Sequence, residues 1–383
     1  MPRWVLARGR AACVWALTAA GVAGCTSAGA GNSTVTVSGK TLTIYVSAAA
    51  TSQPTVAADV LAAEQLAFSP AGVGGFSLQL KVVKGQTISD QARTVIQDKS
   101  AIAYLGEVVP HSSYASLGIT NADDILQVSP TDTALELTQS TPAIPGAPDM
   151  YYQSLSTYGQ TFARVVPTSG KEARAQVQEM ESLGVKKLYV GDDGGPYGLA
   201  MAYALKRAAS GKITVVGSQA DADAIFYASN SPPSATRFFD KASAANPSVN
   251  LFAPSALSDP SFAAGLSATV RHLYVSAPGF LDQDLPAAGA KFVADFKAKY
   301  GRAPDPQAIF GYEAMSAVLA VLRGAGSQVG NRTTVVHDFL ALKNRKSVLG
   351  TYSMNSNGDT SIAPFVFSRL QRGKLVPFAQ VQG

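Results

Sequence analysis

The order of apolar and polar residues predicts strands and helices that alternate along the chain. A β-rich apolar run at residues 42–47 predicts a strand, and Pro54 suits the first turn of a helix that extends to Phe68. The same order continues with a strand at 76–83, a helix at 89–98 and a strand at 101–105. This β-α-β order implies a parallel sheet with right-handed crossovers.

A second alternating run begins after Pro167. It predicts helices at residues 171–183 and 198–209, and strands at 187–190, 213–216, 224–227 and near 249–252. Two such runs predict an α/β fold with two doubly wound parallel-sheet lobes.

The first 25 residues have the pattern of an export signal. Arg3, Arg8 and Arg10 precede an apolar run at residues 11–23 that is too short for the roughly 20 residues of a bilayer span. Residues 1–24 are therefore predicted to be a removed signal peptide. The closing residues Val22-Ala23-Gly24-Cys25 resemble the lipobox of bacterial lipoproteins, which implies that Cys25 is lipid-modified and anchors the protein to the outer face of the bacterial cell membrane.

Cysteine usage and charge agree with an exported globular protein. Cys13 lies in the signal, so Cys25 is the one cysteine of the mature chain and no disulfide is expected. Loss of three arginines with the signal lowers the net charge from +5 to +2, and no basic run remains, which argues against nucleic-acid binding. Residues 25–40, poor in charge and rich in Ser, Thr and Gly, are predicted to form a flexible tether.

Polar residues follow the predicted strands at the ends where ligands bind in open parallel sheets. The segment after Leu105 contains Val109, Pro110 and Ser112, the segment after Val128 contains Asp132 and Thr133, and the segment after Val190 contains Tyr197. Three such segments at equivalent strand ends predict a cleft that holds a small polar solute.

These residues also carry a family resemblance. The sequence resembles the leucine/isoleucine/valine-binding family of type I periplasmic binding proteins. The resemblance lies in the order of Ser129-Pro130, Thr133, Arg164 within Phe162–Thr168, Pro196-Tyr197-Gly198, and Gly311-Tyr312-Glu313-Ala314. The resemblance implies two lobes joined by three hinge crossovers that close over a solute, with an ABC transporter permease as partner. The implied first lobe comprises residues 41–166 and 285–347, and the second comprises 167–284 and 348–383.

The resemblance also implies roles for individual residues. Asp132 and Thr133 would contact the ligand's carboxylate and ammonium, and Tyr197 would pack over it from the second lobe. Val109 and Pro110 occupy positions where the family has a carboxylate-binding hydroxyl, for which Ser112 or Ser113 can substitute. Ser255 stands where an acidic partner of the ammonium is expected. The expected ligand is accordingly a branched-chain amino acid, an amide or a related metabolite.

A hydrolase, a metal site and a membrane-tethered sensor are the alternatives to solute transport. His111 beside Ser112 raises the possibility of a hydrolase, but no Gly-x-Ser-x-Gly motif occurs. The pair Asp192-Asp193 is more typical of a strand-end cap than of a metal site, so no enzyme activity, metal or cofactor is expected. A lipid-tethered sensor that signals to a membrane partner would share the same fold.

The segment at residues 139–161, which contains Tyr151, Tyr152 and Tyr158, either covers the cleft or lies at the edge of a lobe.

Overall fold

The computed structural model describes residues 35–47 and 52–383 and contains two α/β sheets and a short hairpin. The predicted signal peptide, Cys25 and most of the predicted tether lie outside the described residues. The strands are β1 (Thr41–Ser47), β2 (Ser77–Val83), β3 (Ala101–Leu105), β4 (Leu126–Ser129), β5 (Phe162–Arg164), β6 (Lys187–Asp192), β7 (Thr214–Val216), β8 (Ala224–Ala228), β9 (Asn250–Ala253), β10 (Leu273–Pro278), β11 (Arg345–Ser347), β12 (Gly350–Tyr352), β13 (Pro364–Gln371) and β14 (Lys374–Gln382). The helices are α1 (Pro54–Ala67), α2 (Ile88–Gln97), α3 (Tyr114–Asn121), α4 (Leu155–Tyr158), α5 (Ser169–Ser182), α6 (Pro196–Ala209), α7 (Pro232–Ala245), α8 (Pro260–Ala264), α9 (Ala287–Tyr300), α10 (Ala308–Gly324) and α11 (Arg332–Leu340).

The first sheet has the strand order β2-β1-β3-β4-β5, and all neighbouring strands are parallel. Ile44, Leu105 and Val128 project from its central strands into a core shared with Phe310 and Met315 of α10, and all five are fully buried. Strands covered on both faces favour continuous apolar sequence, which explains the unbroken apolar run of β3. This sheet and the helices packed on it form the first lobe.

The second sheet has the order β14-β13-β10-β9-β8-β6-β7. Its five strands from β10 to β7 are parallel, whereas β13 and β14 are antiparallel to their neighbours. Arg372 and Gly373 join β13 to β14 with positive φ angles of 51° and 74°, and so short a connection requires antiparallel strands. The two antiparallel strands were not predicted, and they make the second sheet mixed.

The chain passes between the lobes after β5, after β10 and between β12 and β13. The last passage differs from the predicted boundary at Val348. Val348, Leu349 and Tyr352 pack in the first core, and the chain joins the second sheet only at Pro364. The reason is the hairpin of β11 and β12, which returns the chain to α10, where the Tyr352 hydroxyl donates to Glu313 Oε1 at 2.7 Å.

The described end of the predicted tether is attached to the first lobe. The N–H of Val37 donates to the carbonyl of Gly330 at 2.8 Å, and the N–H of Ser38 donates to that of Lys99 at 3.0 Å. Val37 and Ser38 are therefore part of the first lobe and not of a flexible tether, and the rest of the tether prediction falls on residues before Val35, outside the described part of the chain. No helix in residues 35–47 and 52–383 is long and apolar enough to cross a membrane.

Candidate functional site

Asp132 closes a ring of backbone amides at the carboxyl ends of β3 and β4. Its Oδ1 accepts from the N–H groups of His111 at 2.6 Å and Ala134 at 3.1 Å. Its Oδ2 accepts from the N–H of Ser113 at 2.9 Å. Burial raises the pKa of this fully buried carboxyl, and the Arg164 guanidinium opposes the shift. Asp132 thus lies where the sequence predicted, but both of its oxygens are engaged within the first lobe.

Arg164 donates hydrogen bonds to the backbone of the same loop. Its Nη1 donates to the carbonyls of Asp132 and Ala134, both at 2.8 Å, and its Nη2 donates to Thr138 Oγ1 at 2.8 Å. Its Nε lies 3.0 Å from Asp359 Oδ1, and the arginine side chain is fully buried. Arg164 therefore fixes the loop after β4 to the last passage between the lobes.

The second lobe contributes Ser255, which follows β9. Glu172, in the first turn of α5, accepts from the Ser255 N–H at 2.5 Å and from its hydroxyl at 2.9 Å. The Ser276 hydroxyl donates to the same carboxylate at 2.6 Å. Burial raises the pKa of Glu172 to about 7, although these three hydrogen bonds oppose the shift. Glu172 therefore fixes both the backbone and the hydroxyl of Ser255.

Thr133 and Ser255 meet where the two lobes touch, with their hydroxyl oxygens 3.5 Å apart. Gln53, at the start of α1, donates from Nε2 to the carbonyl of Ser255 at 2.8 Å. We call Gln53, Thr133, Glu172, Tyr197 and Ser255 the junction cluster, and each is at most 1% exposed. Two of its atoms, Gln53 Oε1 and the Tyr197 hydroxyl oxygen, have no hydrogen-bond partner among the described residues.

Further contacts join the lobes around this cluster. Asp259 Oδ2 of the second lobe accepts from the N–H groups of Thr55 at 2.8 Å and Val56 at 3.2 Å, which open α1 in the first lobe. Asn230 Nδ2 donates to the carbonyl of Pro110 at 3.0 Å. Gln307 Nε2 donates to Ser258 Oγ at 2.9 Å. Three of the predicted site residues, Thr133, Tyr197 and Ser255, are thus enclosed between lobes in direct contact. A fourth, Pro110, accepts one of the hydrogen bonds that join the lobes.

Ser112 and its neighbours lie beside the cluster and do not form a catalytic pair. The Ser112 hydroxyl donates to the carbonyl of Val109 at 2.5 Å. His111 Nδ1 instead lies 2.7 Å from Glu136 Oε1, and its ring stacks on Tyr114 with 4.8 Å between centroids. The hydroxyl thus has a backbone partner and the imidazole an acidic one.

The adjacent carboxylates of Asp192 and Asp193 cap the turn before α6. Asp192 Oδ1 accepts from the N–H of Gly194, and Asp193 Oδ1 accepts from that of Gly195, both at 3.0 Å. The Ser229 hydroxyl donates to Asp193 Oδ2 at 2.6 Å. These contacts match the predicted strand-end cap.

The segment at residues 139–161 is partly buried in a core and partly exposed, with Met150 60% exposed. Tyr151 and Tyr152 are buried and belong to one apolar cluster with Val177 of α5 and Met201 of α6. Tyr158 lies at the end of α4 and is half-buried. The segment therefore fills space between α3 and the helices of the second lobe.

Gln53, Arg164 and Glu172 were not predicted as site residues. Glu172 and Ser255 are 83 positions apart, and Gln53 and Ser255 are 202 apart, so no local pattern links them. Arg164 belongs to a motif of the family resemblance, but no role at the site was predicted for it. An arginine inside an apolar strand is the one signal that could have been used, because such a residue requires buried acceptors.

Two α/β lobes that enclose a polar cluster at the ends of their parallel strands define a two-lobed solute-binding protein. The sequence model of the periplasmic binding protein family matches residues 46–374, and the chain belongs to this family. This membership confirms the resemblance and implies an extracytoplasmic solute-binding role with permease partners. The family and the structural neighbours are substrate-binding proteins rather than enzymes.

Several solved structures share the fold. A leucine binding protein from Thermotoga maritima aligns with a TM-score of 0.72 at 19% identity, over 89% of this chain and 98% of its own. A branched-chain amino acid transporter substrate binding protein from Streptococcus pneumoniae, in complex with isoleucine, aligns at 0.70 and 16% identity over 90% and 99%. A solute binding protein of an ABC transporter from R. palustris, in complex with benzoate, aligns at 0.65 and 18% identity over 90% and 96%. No curated relative matches the chain by sequence.

Proposed function

We propose that the chain is a lipid-anchored, extracytoplasmic receptor that captures a small solute between its lobes and delivers it to the permease of an ABC importer. The junction cluster carries the proposal. Burying a polar atom without a partner costs about 1–3 kcal/mol, so such an atom at the junction of two lobes is a position where a bound solute can supply the missing partner. Gln53 Oε1 and the Tyr197 hydroxyl meet this description on opposite lobes.

The size and the chemistry of the solute follow from similar proteins and from the cluster itself. The named structures bind leucine, isoleucine and benzoate, which supports a small organic solute for this fold. Hydroxyl, amide and carboxylate groups in the cluster suit a polar head group. The lipid anchor rests on the motif that ends at Cys25, and the permease rests on family membership.

Tyr197→Phe is expected to weaken solute binding without destabilising the protein. The substitution removes a buried hydroxyl that no described residue satisfies, so the ring packing is kept while one contact with the solute is lost. A compound that binds only the folded protein at one hundred times its Kd raises the free energy of unfolding by about 2.7 kcal/mol. Thermal-shift screening of leucine, isoleucine, leucinamide and benzoate identifies such a compound, and titration calorimetry then measures its Kd.

The expected loss of affinity is about fivefold, the value of one net hydrogen bond of about 1 kcal/mol. Tyr203→Phe on the same helix is the matched control, because Tyr203 is 37% exposed and lies outside the cluster. Equal affinity of wild type and Tyr197→Phe would remove Tyr197 from the site. No binding by any of the compounds would count against a small-solute receptor.

Asp259→Ala is expected to favour separation of the lobes. The variant loses the carboxylate that accepts from Thr55 and Val56 across the lobes, and a hydrogen bond to a charged group contributes about 1.5–3 kcal/mol. Hydrogen exchange of these two amides should become at least about tenfold faster, since 1.4 kcal/mol corresponds to a factor of ten. Asp240→Ala, which removes a cap on Ser267 within the second lobe, is the control. Unchanged exchange at Thr55 and Val56 in Asp259→Ala would show that this contact does not hold the lobes together.

A further inference from the structure

The first lobe contains a ring of backbone amides suited to an anion. The N–H groups of His111, Ser113 and Ala134 converge from two loops at the carboxyl ends of β3 and β4. Converging amides of this kind bind carboxylates and phosphates in many proteins. Here the three amides already donate to the side chain of Asp132, at 2.6, 2.9 and 3.1 Å. The protein thus supplies its own carboxylate to this ring.

The cationic groups nearby are also engaged. The buried guanidinium of Arg164 contacts four acceptors, two of them carbonyls of the same loop. The lobes are joined around the junction cluster by Thr55, Val56, Pro110, Asn230, Ser258, Asp259 and Gln307. Within the described part of the chain, none of these joining residues is a lysine or an arginine. A ligand carboxylate would therefore find no counter-charge among these joining residues, and burying it without one is costly.

The junction cluster, in contrast, contains an acceptor without a donor among the described residues. Gln53 Nε2 donates to a carbonyl, which fixes the side-chain orientation and leaves Oε1 as an acceptor with no described partner. The Glu172 carboxylate lies in the same buried set and already accepts from Ser255 and Ser276. A bound molecule with N–H groups would satisfy Gln53 Oε1, whereas a ligand carboxylate would place a second acidic group beside Glu172.

We propose that this cleft selects a neutral or cationic solute with N–H donors, such as an amide or an amine, because Asp132 fills the amide ring that would otherwise receive a ligand carboxylate. The inference rests on the proposed solute-binding function and specifies its ligand class. It separates this chain from the amino-acid and aromatic-acid binders whose fold it shares.

The role of Asp132 can be tested without knowing the ligand. In Asp132→Ala the amide ring loses its carboxylate, so added acetate should raise the unfolding midpoint of this variant. Neither chloride at equal ionic strength nor acetamide should do so, and the wild type should not respond to acetate. Asp192→Ala, which removes a carboxylate cap from Gly194 in the second lobe, is the control and should be insensitive to acetate. Equal responses to acetate in Asp132→Ala and wild type would overturn the inference.

The ligand class is tested on the wild type, which also covers the case of an Asp132 variant that does not fold. Calorimetric titration compares three matched pairs: leucine with leucinamide, 4-methylpentanoate with 4-methylpentanamide, and benzoate with benzamide. The amide of each binding pair should bind at least about tenfold more tightly, since an unpaired buried carboxylate costs more than the 1.4 kcal/mol of one factor of ten. Acids that bind as tightly as their amides would overturn the inference and leave the solute-binding function intact. No binding by all six compounds would overturn both.

Discussion

Arg164→Ala should destabilise the protein by about 3–5 kcal/mol, because removal of one partner of a buried ion pair leaves the other charge uncompensated. The variant would leave the Asp359 carboxylate without its partner at 3.0 Å, and it would strip the carbonyls of Asp132 and Ala134 of their donor. Urea unfolding monitored by far-UV circular dichroism measures the change.

Arg174→Ala is the matched control for this experiment. Arg174 is exposed on α5, and its Nη1 donates a hydrogen bond of 3.1 Å to the carbonyl of Gly170 in its own helix. Its removal should change the free energy of unfolding by less than about 0.5 kcal/mol. If Arg164→Ala cost no more than Arg174→Ala, the loop after β4 would be held by its own hydrogen bonds, and Arg164 would be dispensable.

Much of the fold could be predicted because its signals are local. The apolar run of β1 and the proline that opens α1 each lie within a few residues of the element that they specify, and the structure has them at Thr41–Ser47 and from Pro54. The hairpin of β13 and β14 could not be predicted in the same way. Its second strand is largely half-buried or exposed, so it lacks the apolar pattern on which the other strand predictions rested.

At the candidate site, the sequence predicts the positions of residues but not the directions of their side chains. The positions of Thr133, Tyr197 and Ser255 could be predicted because each follows a strand, and the ends of parallel strands meet at one edge of a sheet. Their contact with a solute stays a prediction. The direction of a side chain is not encoded in this way. Asp132 was predicted to face a ligand, but it turns toward the amides of His111 and Ser113, which lie about twenty positions earlier in the chain. Only the folded loops show that backbone amides already donate to both oxygens of the Asp132 carboxylate.

Stability should fall between pH 4.5 and pH 7, because two buried carboxyls keep their protons in the folded state over this range while they ionise in the unfolded chain. Burial raises the pKa of Glu107 and that of Glu172 from an ordinary value of 4.5 to about 7. Each group therefore favours the folded state fully below pH 4.5, and this contribution is lost as the pH rises through 7. A shift of this size corresponds to about 3 kcal/mol per group at most.

Glu107→Gln and Glu172→Gln isolate these contributions, since glutamine keeps the shape of the side chain and does not ionise. In each variant the free energy of unfolding should decline less steeply between pH 4.5 and pH 7.5 than in wild type, by up to about 3 kcal/mol. Glu181→Gln on the exposed face of α5 should decline as steeply as wild type. Urea titrations at several pH values measure these slopes, and identical slopes for wild type and Glu172→Gln would mean that Glu172 ionises in the folded protein as it does in the unfolded chain.

An ionised Glu172 would then be a negative charge with which a cationic solute could pair, whereas a protonated one contributes only a hydrogen bond. The same titrations therefore indicate which of the two ligand types, amine or amide, the cleft favours at neutral pH.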